Sequence, residues 1–168
     1  IYPVNYGEIF PISGGLPVSK RPPQRQKLRL QELTRWSKFL NINLNTQPNF
    51  FPSKSLLPSL IIIAAKIEKL DNYFELAFKI MNSLWVENQD IDDEDVLKKI
   101  LNRMNFDAEN IILSAKSEKC LDIMNKYTQL AITKNVFGAP TYIIEDQIYW
   151  GQDRLDFVER HLNSMNMD

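Results

Sequence analysis

The chain has 168 residues, 44% of them hydrophobic, enough for one domain of ordinary size or a small domain interrupted by an insertion. With 20 Lys and Arg against 21 Asp and Glu, the net charge of −1 gives no excess to draw the chain to nucleic acid or anionic lipid. The longest apolar run, Leu60–Ala65, is too short for a membrane span, and a single cysteine, Cys120, excludes a disulfide framework, a CxxC pair and a cysteine zinc site.

Residues 1–23 concentrate proline and glycine, including Gly14-Gly15 and Pro22-Pro23, which predicts a short strand at Ile1–Val4 followed by irregular loop. From Gln24 to Leu40 the apolar residues Leu28, Leu30, Leu33, Trp36, Phe39 and Leu40 recur at helical intervals, predicting an amphipathic helix. Asn41–Pro52 reads as a loop whose Phe50 and Phe51 tuck against a core. Leu56–Leu70 is too long for a strand and reads as helix. Asp71 and Asn72 can cap the next helix, Tyr73–Val86, where Phe74, Ala77, Phe78, Met81 and Leu84 or Trp85 form a wide apolar stripe that should be largely buried.

Asp92–Asp95 suit a helix N-terminus ahead of Val96, Leu97, Ile100, Leu101 and Met104; the run lacks the glycine and distal glutamate of a calcium loop. Two further helices follow at Ala108–Ala115 and Glu118–Asn135. The pattern then changes: Thr141–Ile144 and Gln147–Trp150, separated by Glu145-Asp146, predict a β-hairpin. Asp153 can cap a last helix in which Leu155, Val158 and Leu162 share a face.

A lone first strand must pair with the terminal hairpin across the intervening helices. The predicted class is therefore α/β, a sheet domain with a large all-helical insertion: residues 1–15 plus 136–168 form the sheet domain, which the resemblance described next implies is thioredoxin-like, and residues 16–135 the insertion. A three-stranded sheet with one terminal helix is thin, so a further strand and helix, about 25–30 residues, are expected ahead of Ile1.

Asn135-Val136-Phe137-Gly138-Ala139-Pro140-Thr141, followed by Trp150-Gly151-Gln152-Asp153-Arg154, resembles the C-terminal half of the kappa-class glutathione transferases and 2-hydroxychromene-2-carboxylate isomerases. These are DsbA-like, thioredoxin-fold glutathione enzymes. The resemblance implies a cis-proline at Pro140, with the backbone of Ala139 pairing with the cysteinyl unit of glutathione as an added strand would. It implies that the helix start at Gln152, Asp153 and Arg154 holds the γ-glutamyl unit, with Asp153 on its ammonium. At the front, Arg25 stands where many members have a glutathione-binding lysine, and Leu16 where they have an asparagine. The family's catalytic serine, which favours the glutathione thiolate, would lie upstream of Ile1.

Cys120 lies in a helical pattern beside Leu121 and Met124 and reads as a buried structural thiol; a lone His161 excludes a histidine-based triad or multi-histidine metal site. The resemblance thus implies a glutathione-dependent isomerase acting on a small electrophilic substrate, with glutathione as cofactor and a homodimer as the typical assembly. The alternatives are a kappa-class transferase, a DsbA-like thiol-disulfide oxidoreductase, which needs a CxxC upstream, and a non-catalytic interaction protein. No metal, nucleic-acid partner or membrane is expected, and a cytoplasmic location follows from the cysteine usage.

Overall fold

The structure, a computed structural model, describes residues 1–165. In chain order it contains α1 (Tyr6–Ser13), a 3-10 turn (Val18–Lys20), α2 (Pro23–Phe39), α3 (Leu57–Ile67), α4 (Tyr73–Trp85), α5 (Glu94–Arg103), α6 (Ala108–Ala115) and α7 (Glu118–Thr133). The strands β1 (Thr141–Ile144) and β2 (Gln147–Trp150), a second 3-10 turn (Gln152–Arg154) and α8 (Leu155–Met165) complete it.

Local chemistry sets the helix starts. Asp93 accepts from the Asp95 N–H at 2.9 Å to open α5, Asp107 from Asn110 at 3.1 Å to open α6, and Ser117 from Cys120 at 3.3 Å to open α7. Asn72 precedes α4 but makes no side-chain capping bond. Helix α3 packs on α4, α6 and α7, and its Ile61, Ile63, Ala64 and Ala65 are fully enclosed. Leu76, Leu97, Leu101, Met124 and Cys120 are among the residues that join them in this core; each large branched side chain buried there contributes about 1.5–3 kcal/mol. No helix among the described residues is long and apolar enough to cross a membrane.

The predicted strand at Ile1–Val4 is absent, and the expected loop after it contains α1. Residues 1–5 find side chains rather than a strand: the Asn5 N–H donates to Thr128 Oγ1 at 3.0 Å, and Lys66 Nζ donates to the Ile1 carbonyl at 3.2 Å. Tyr2 stacks edge-on against Tyr127 with 4.4 Å between centroids, and the Lys66 ammonium lies 4.3 Å from the Tyr2 ring. The fully buried Thr128 hydroxyl donates in turn to the Met124 carbonyl at 2.9 Å, so it is satisfied in both directions. Helix α1 begins with a reciprocal cap: Asn5 accepts from the Gly7 N–H, and its amide donates to Glu8. It ends at Gly14, whose φ of 74° is left-handed. Its Ile9 is buried against Ala131 and Val136.

Two other expectations are corrected. The inward face of α4 is Leu76, Ala77, Ile80 and Leu84, whereas Phe74, Phe78 and Met81 are exposed. Apolar residues cover more than half of this helix's circumference, and contact with α3 and α5 selects which side is buried. Helix α2 buries none of its residues; Phe51 packs on the core but Phe50 stays exposed.

Asp92 ties the loop before α3 to the start of α5. Its carboxylate accepts from the Ser53 hydroxyl and from the N–H groups of Lys54 at 2.7 Å and Ser55 at 3.1 Å. Desolvation alone would raise its pKa, but these hydrogen bonds and the Lys54 charge outweigh it and hold the carboxyl below its usual 3.8. A depressed folded pKa stabilises the fold above the unfolded value, and that contribution is lost as pH falls through the folded one. Asp92→Ala should therefore lower unfolding free energy by about 1–3 kcal/mol at pH 7 in urea titrations. The gap between wild type and variant should shrink below about pH 4; a gap independent of pH would contradict this account.

Candidate functional site

The two halves of the motif meet because the hairpin register brings them together. Strands β1 and β2 pair antiparallel with Thr141 opposite Trp150 and Ile144 opposite Gln147. One step beyond Thr141, the Gly151 N–H donates to the Pro140 carbonyl at 3.0 Å, carrying the ladder past the assigned strands. Pro140 and Gly151 are thereby neighbours at the end of the hairpin opposite the Glu145-Asp146 turn. The Ala139–Pro140 peptide bond is cis. Ala139 and Pro140 are exposed, and the Ala139 N–H and carbonyl have no backbone or side-chain partner among the described residues.

Two glycines make this end compact. A Cβ on Gly138 would lie 2.4 Å from the Trp150 indole nitrogen, so the bare glycine lets the indole lie against the turn. The Trp150 ring also packs on Phe137, with centroids 5.0 Å apart, and the Thr141 hydroxyl donates to the Gly138 carbonyl. Gly151 has φ 112°, where a side chain is strained, and a Cβ there would come within 2.5 Å of an Asp153 carboxylate oxygen.

Asp153 does not cap the last helix as expected from sequence. Gly151 precedes the 3-10 turn Gln152–Arg154, Asp153 lies within that turn, and α8 begins at Leu155. The Gly151 carbonyl accepts from the Arg154 N–H at 3.3 Å, closing a 3-10 turn, and among the described residues no backbone N–H donates to the Asp153 carboxylate. Its carboxylate instead accepts from Arg154 at 3.0 Å, and both side chains are about half exposed.

The single histidine holds the assembly together: His161 on α8 lies 2.9 Å from the Tyr149 hydroxyl and 3.3 Å from Glu145. Lys134, after α7, pairs with Asp146 at the hairpin turn. Thus Ala139, Pro140, Gln152, Asp153 and Arg154 share one end of the hairpin. Arg25 sits exposed on the first turn of α2, and no hydrogen bond or ion pair joins it to them among the described residues. Cys120 is fully buried in the helical core.

A depression of about 270 Å³ beside Phe137 is lined by Ile9, Ile12, Ser13, Ile132 and Val136. A larger cavity of about 350 Å³ lies between α4 and α5 and takes no residue from the hairpin. Reading by composition missed the α1 wall, although Asn5-Tyr6-Gly7-Glu8 followed by Gly14 has the pattern of a capped helix. Among the described residues no group of three or more His, Cys, Asp and Glu side chains is arranged to hold a metal ion.

The DSBA-like thioredoxin domain matches residues 1–163. The chain belongs to this family. Its fold is the DsbA-like thioredoxin fold, mostly helical with a small sheet. A 2-hydroxychromene-2-carboxylate isomerase from Sphingobium xenophagum is 25% identical over 146 residues, covering 87% of this chain and 72% of that protein. Another of that name from Pseudomonas sp. (strain C18) is 23% identical over 128 residues, covering 76% of this chain and 58% of the relative. A solved structure of 2-hydroxychromene-2-carboxylate isomerase superposes with a TM-score of 0.79 at 20% identity, covering 98% of this chain and 79% of that one. At this identity the superposition carries the DsbA-like fold.

The close approach at Gly138 is testable. Gly138→Ala should displace the Trp150 indole, seen as a shift of its ring N–H resonance, and cost about 1–3 kcal/mol through overpacking; an unmoved resonance would show that the indole does not lie on the turn.

Proposed function

We propose that this chain is a glutathione-dependent isomerase of the 2-hydroxychromene-2-carboxylate isomerase type. The observation that carries the reading is the Gly151–Pro140 hydrogen bond, because it sets the unpaired backbone of Ala139 beside the turn that holds Asp153. Isomerase-named relatives along most of the chain support the same reading.

The residues present fit the tripeptide in chemical terms. The free N–H and carbonyl of Ala139 offer an edge to which a peptide adds as a strand does, with main-chain bonds independent of the ligand's side chains. Asp153, exposed and oriented by Arg154, supplies a carboxylate for the γ-glutamyl ammonium. Gln152 adds an amide at the same turn. Arg25, with a guanidinium outside any ion pair among the described residues, supplies a cation for a carboxylate. Glutathione, when bound, supplies a thiolate that adds reversibly to an unsaturated carbonyl compound, turning its double bond into a single bond free to rotate. The chain's own work is to bind and orient. A homodimer belongs to the same proposal.

Cys120 is enclosed by the helical core, so a thiol-exchange role would rest on a CxxC pair ahead of Ile1 and not on this cysteine. For the glutathione reading, calorimetric titration should show Asp153→Ala weakening glutathione binding by about 1.5–3 kcal/mol. Equal dissociation constants for wild type and variant would remove Asp153 from the site. Absence of binding to the wild-type chain at millimolar glutathione would reject the function itself.

A further inference from the structure

Of the two buried polar side chains among the described residues, Thr128 and Ser83, only one has its hydrogen bonds made within the fold. Thr128 accepts from the Asn5 N–H and donates to the Met124 carbonyl. Ser83, on α4, is 2% exposed, yet among the described residues its hydroxyl neither donates nor accepts. No side-chain nitrogen or oxygen wholly shut off from solvent lacks a partner among these residues. The Ser83 hydroxyl therefore opens onto the cavity of about 350 Å³ between α4 and α5, whose wall Ser83 helps to form. A buried hydroxyl without a partner is costly, and alanine would serve the helix better. The residue suits a position where something entering the cavity completes the bond.

The neighbours of Ser83 along α4 carry opposite charges. Lys79 stands one turn before it and Glu87 one turn after, and both line the cavity. By helix rise Lys79 and Ser83 are about 6 Å apart along the axis, and Glu87, just past the helix end, is about 6 Å further. Lys79 meets Glu75 only at 3.9 Å, too far for a hydrogen bond, so its ammonium donors stay available. The Asn82 amide donates to one Glu87 carboxylate oxygen at 3.2 Å, which orients the group and leaves the other oxygen open. From α5, Arg103 adds a second cation and the buried Ile100 an apolar patch. With Glu75 and Glu87 against Lys79 and Arg103, the lining holds two charges of each sign.

A monoanion or a monocation entering such a lining meets a like charge as well as an opposite one, whereas a zwitterion finds a partner for each end. The spacing sets its length. Two extended residues span about 7 Å, and a hydrogen bond of about 3 Å at each end brings the total to about 13 Å. The axial separation of Lys79 and Glu87 is about 12 Å. The volume, at the low end for ligand cavities, suits the same size.

We propose that the cavity between α4 and α5 is a binding site for a dipeptide with free termini, its carboxylate on Lys79, its ammonium on Glu87 and its peptide carbonyl on the Ser83 hydroxyl. The site takes no residue from the hairpin and stands independently of the isomerase reading.

The test titrates alanyl-alanine into the full chain by calorimetry, alongside its N-acetyl form, which lacks the ammonium, and its C-terminal amide, which lacks the carboxylate. The free dipeptide should bind in the millimolar range or tighter, and each blocked form at least about tenfold more weakly, the size expected of one charge-assisted hydrogen bond. Glu87→Gln should erase most of the preference for the free ammonium, and Lys79→Gln most of that for the free carboxylate. Ser83→Ala should weaken the free dipeptide about threefold to tenfold while leaving the urea midpoint unchanged or raised, because the hydroxyl holds nothing within the fold. Asp153→Ala should leave dipeptide affinity unchanged. Absence of binding at millimolar dipeptide, equal affinity for the blocked forms, or a Ser83→Ala variant with unchanged affinity or a lowered midpoint would overturn the assignment. Loss of dipeptide affinity in Asp153→Ala would overturn it as well, by moving the peptide to the hairpin.

Discussion

The hydrogen bond from Gly151 to the Pro140 carbonyl extends a four-residue hairpin by one step, and the candidate site depends on that step. The pairing of Thr141 with Trp150 sets Gly138-Ala139-Pro140 beside Gly151-Gln152-Asp153, and the Gly151–Pro140 bond fixes how closely they meet. With it they become one surface, with exposed backbone on one side and a carboxylate–guanidinium pair on the other. The glycines follow from that closeness. Gly138 leaves room for the Trp150 indole, and Gly151 leaves room for the Asp153 carboxylate while taking a φ that other residues avoid.

The rest of the molecule divides into a well-filled body and a lightly packed end. In the body, α3 is enclosed on several sides, and its small Ala64 and Ala65 allow neighbouring helices to approach closely. At the C-terminal end, α8 buries none of its residues and is held by the His161 bonds to Tyr149 and Glu145 and by contact with β1. Polar contacts of this type fix orientation more than they add stability, since each contributes about 0.5–1.5 kcal/mol. The candidate binding groups are thus presented on the less enclosed part and supported from the more enclosed one.

Charge is distributed on the same principle. Acidic residues are spent on structure: Asp92 on the loop before α3, Asp93 and Asp107 on helix caps, Glu94 on two lysines. The cations of α2 and its preceding turn are largely left over. A net charge near zero for the whole chain conceals this local excess, which emerges once pairing is resolved residue by residue.

Much of the fold was legible in short stretches of sequence. The helix Ala108–Ala115 and both strands of the hairpin follow from periodicity and from the Glu145-Asp146 turn, because side-chain spacing, caps and turn conformations act between residues a few positions apart. The candidate site was legible as a motif, through Gly138, Pro140, Gly151 and Asp153. What tertiary structure decided was long-range: that Ile1–Val4 lies along the side chains of Lys66, Tyr127 and Thr128 instead of joining a sheet, and that α4 turns Leu76 and Ile80 inward while exposing Phe74 and Phe78. It also decided that Asp153 faces Arg154 rather than capping α8, and that Arg29 rests on Phe51 and Trp85 with no acid to meet it. Each of these depends on which distant surface arrives as a neighbour, or on how tightly a turn closes, and neither quantity is written in the spacing of residues along the chain.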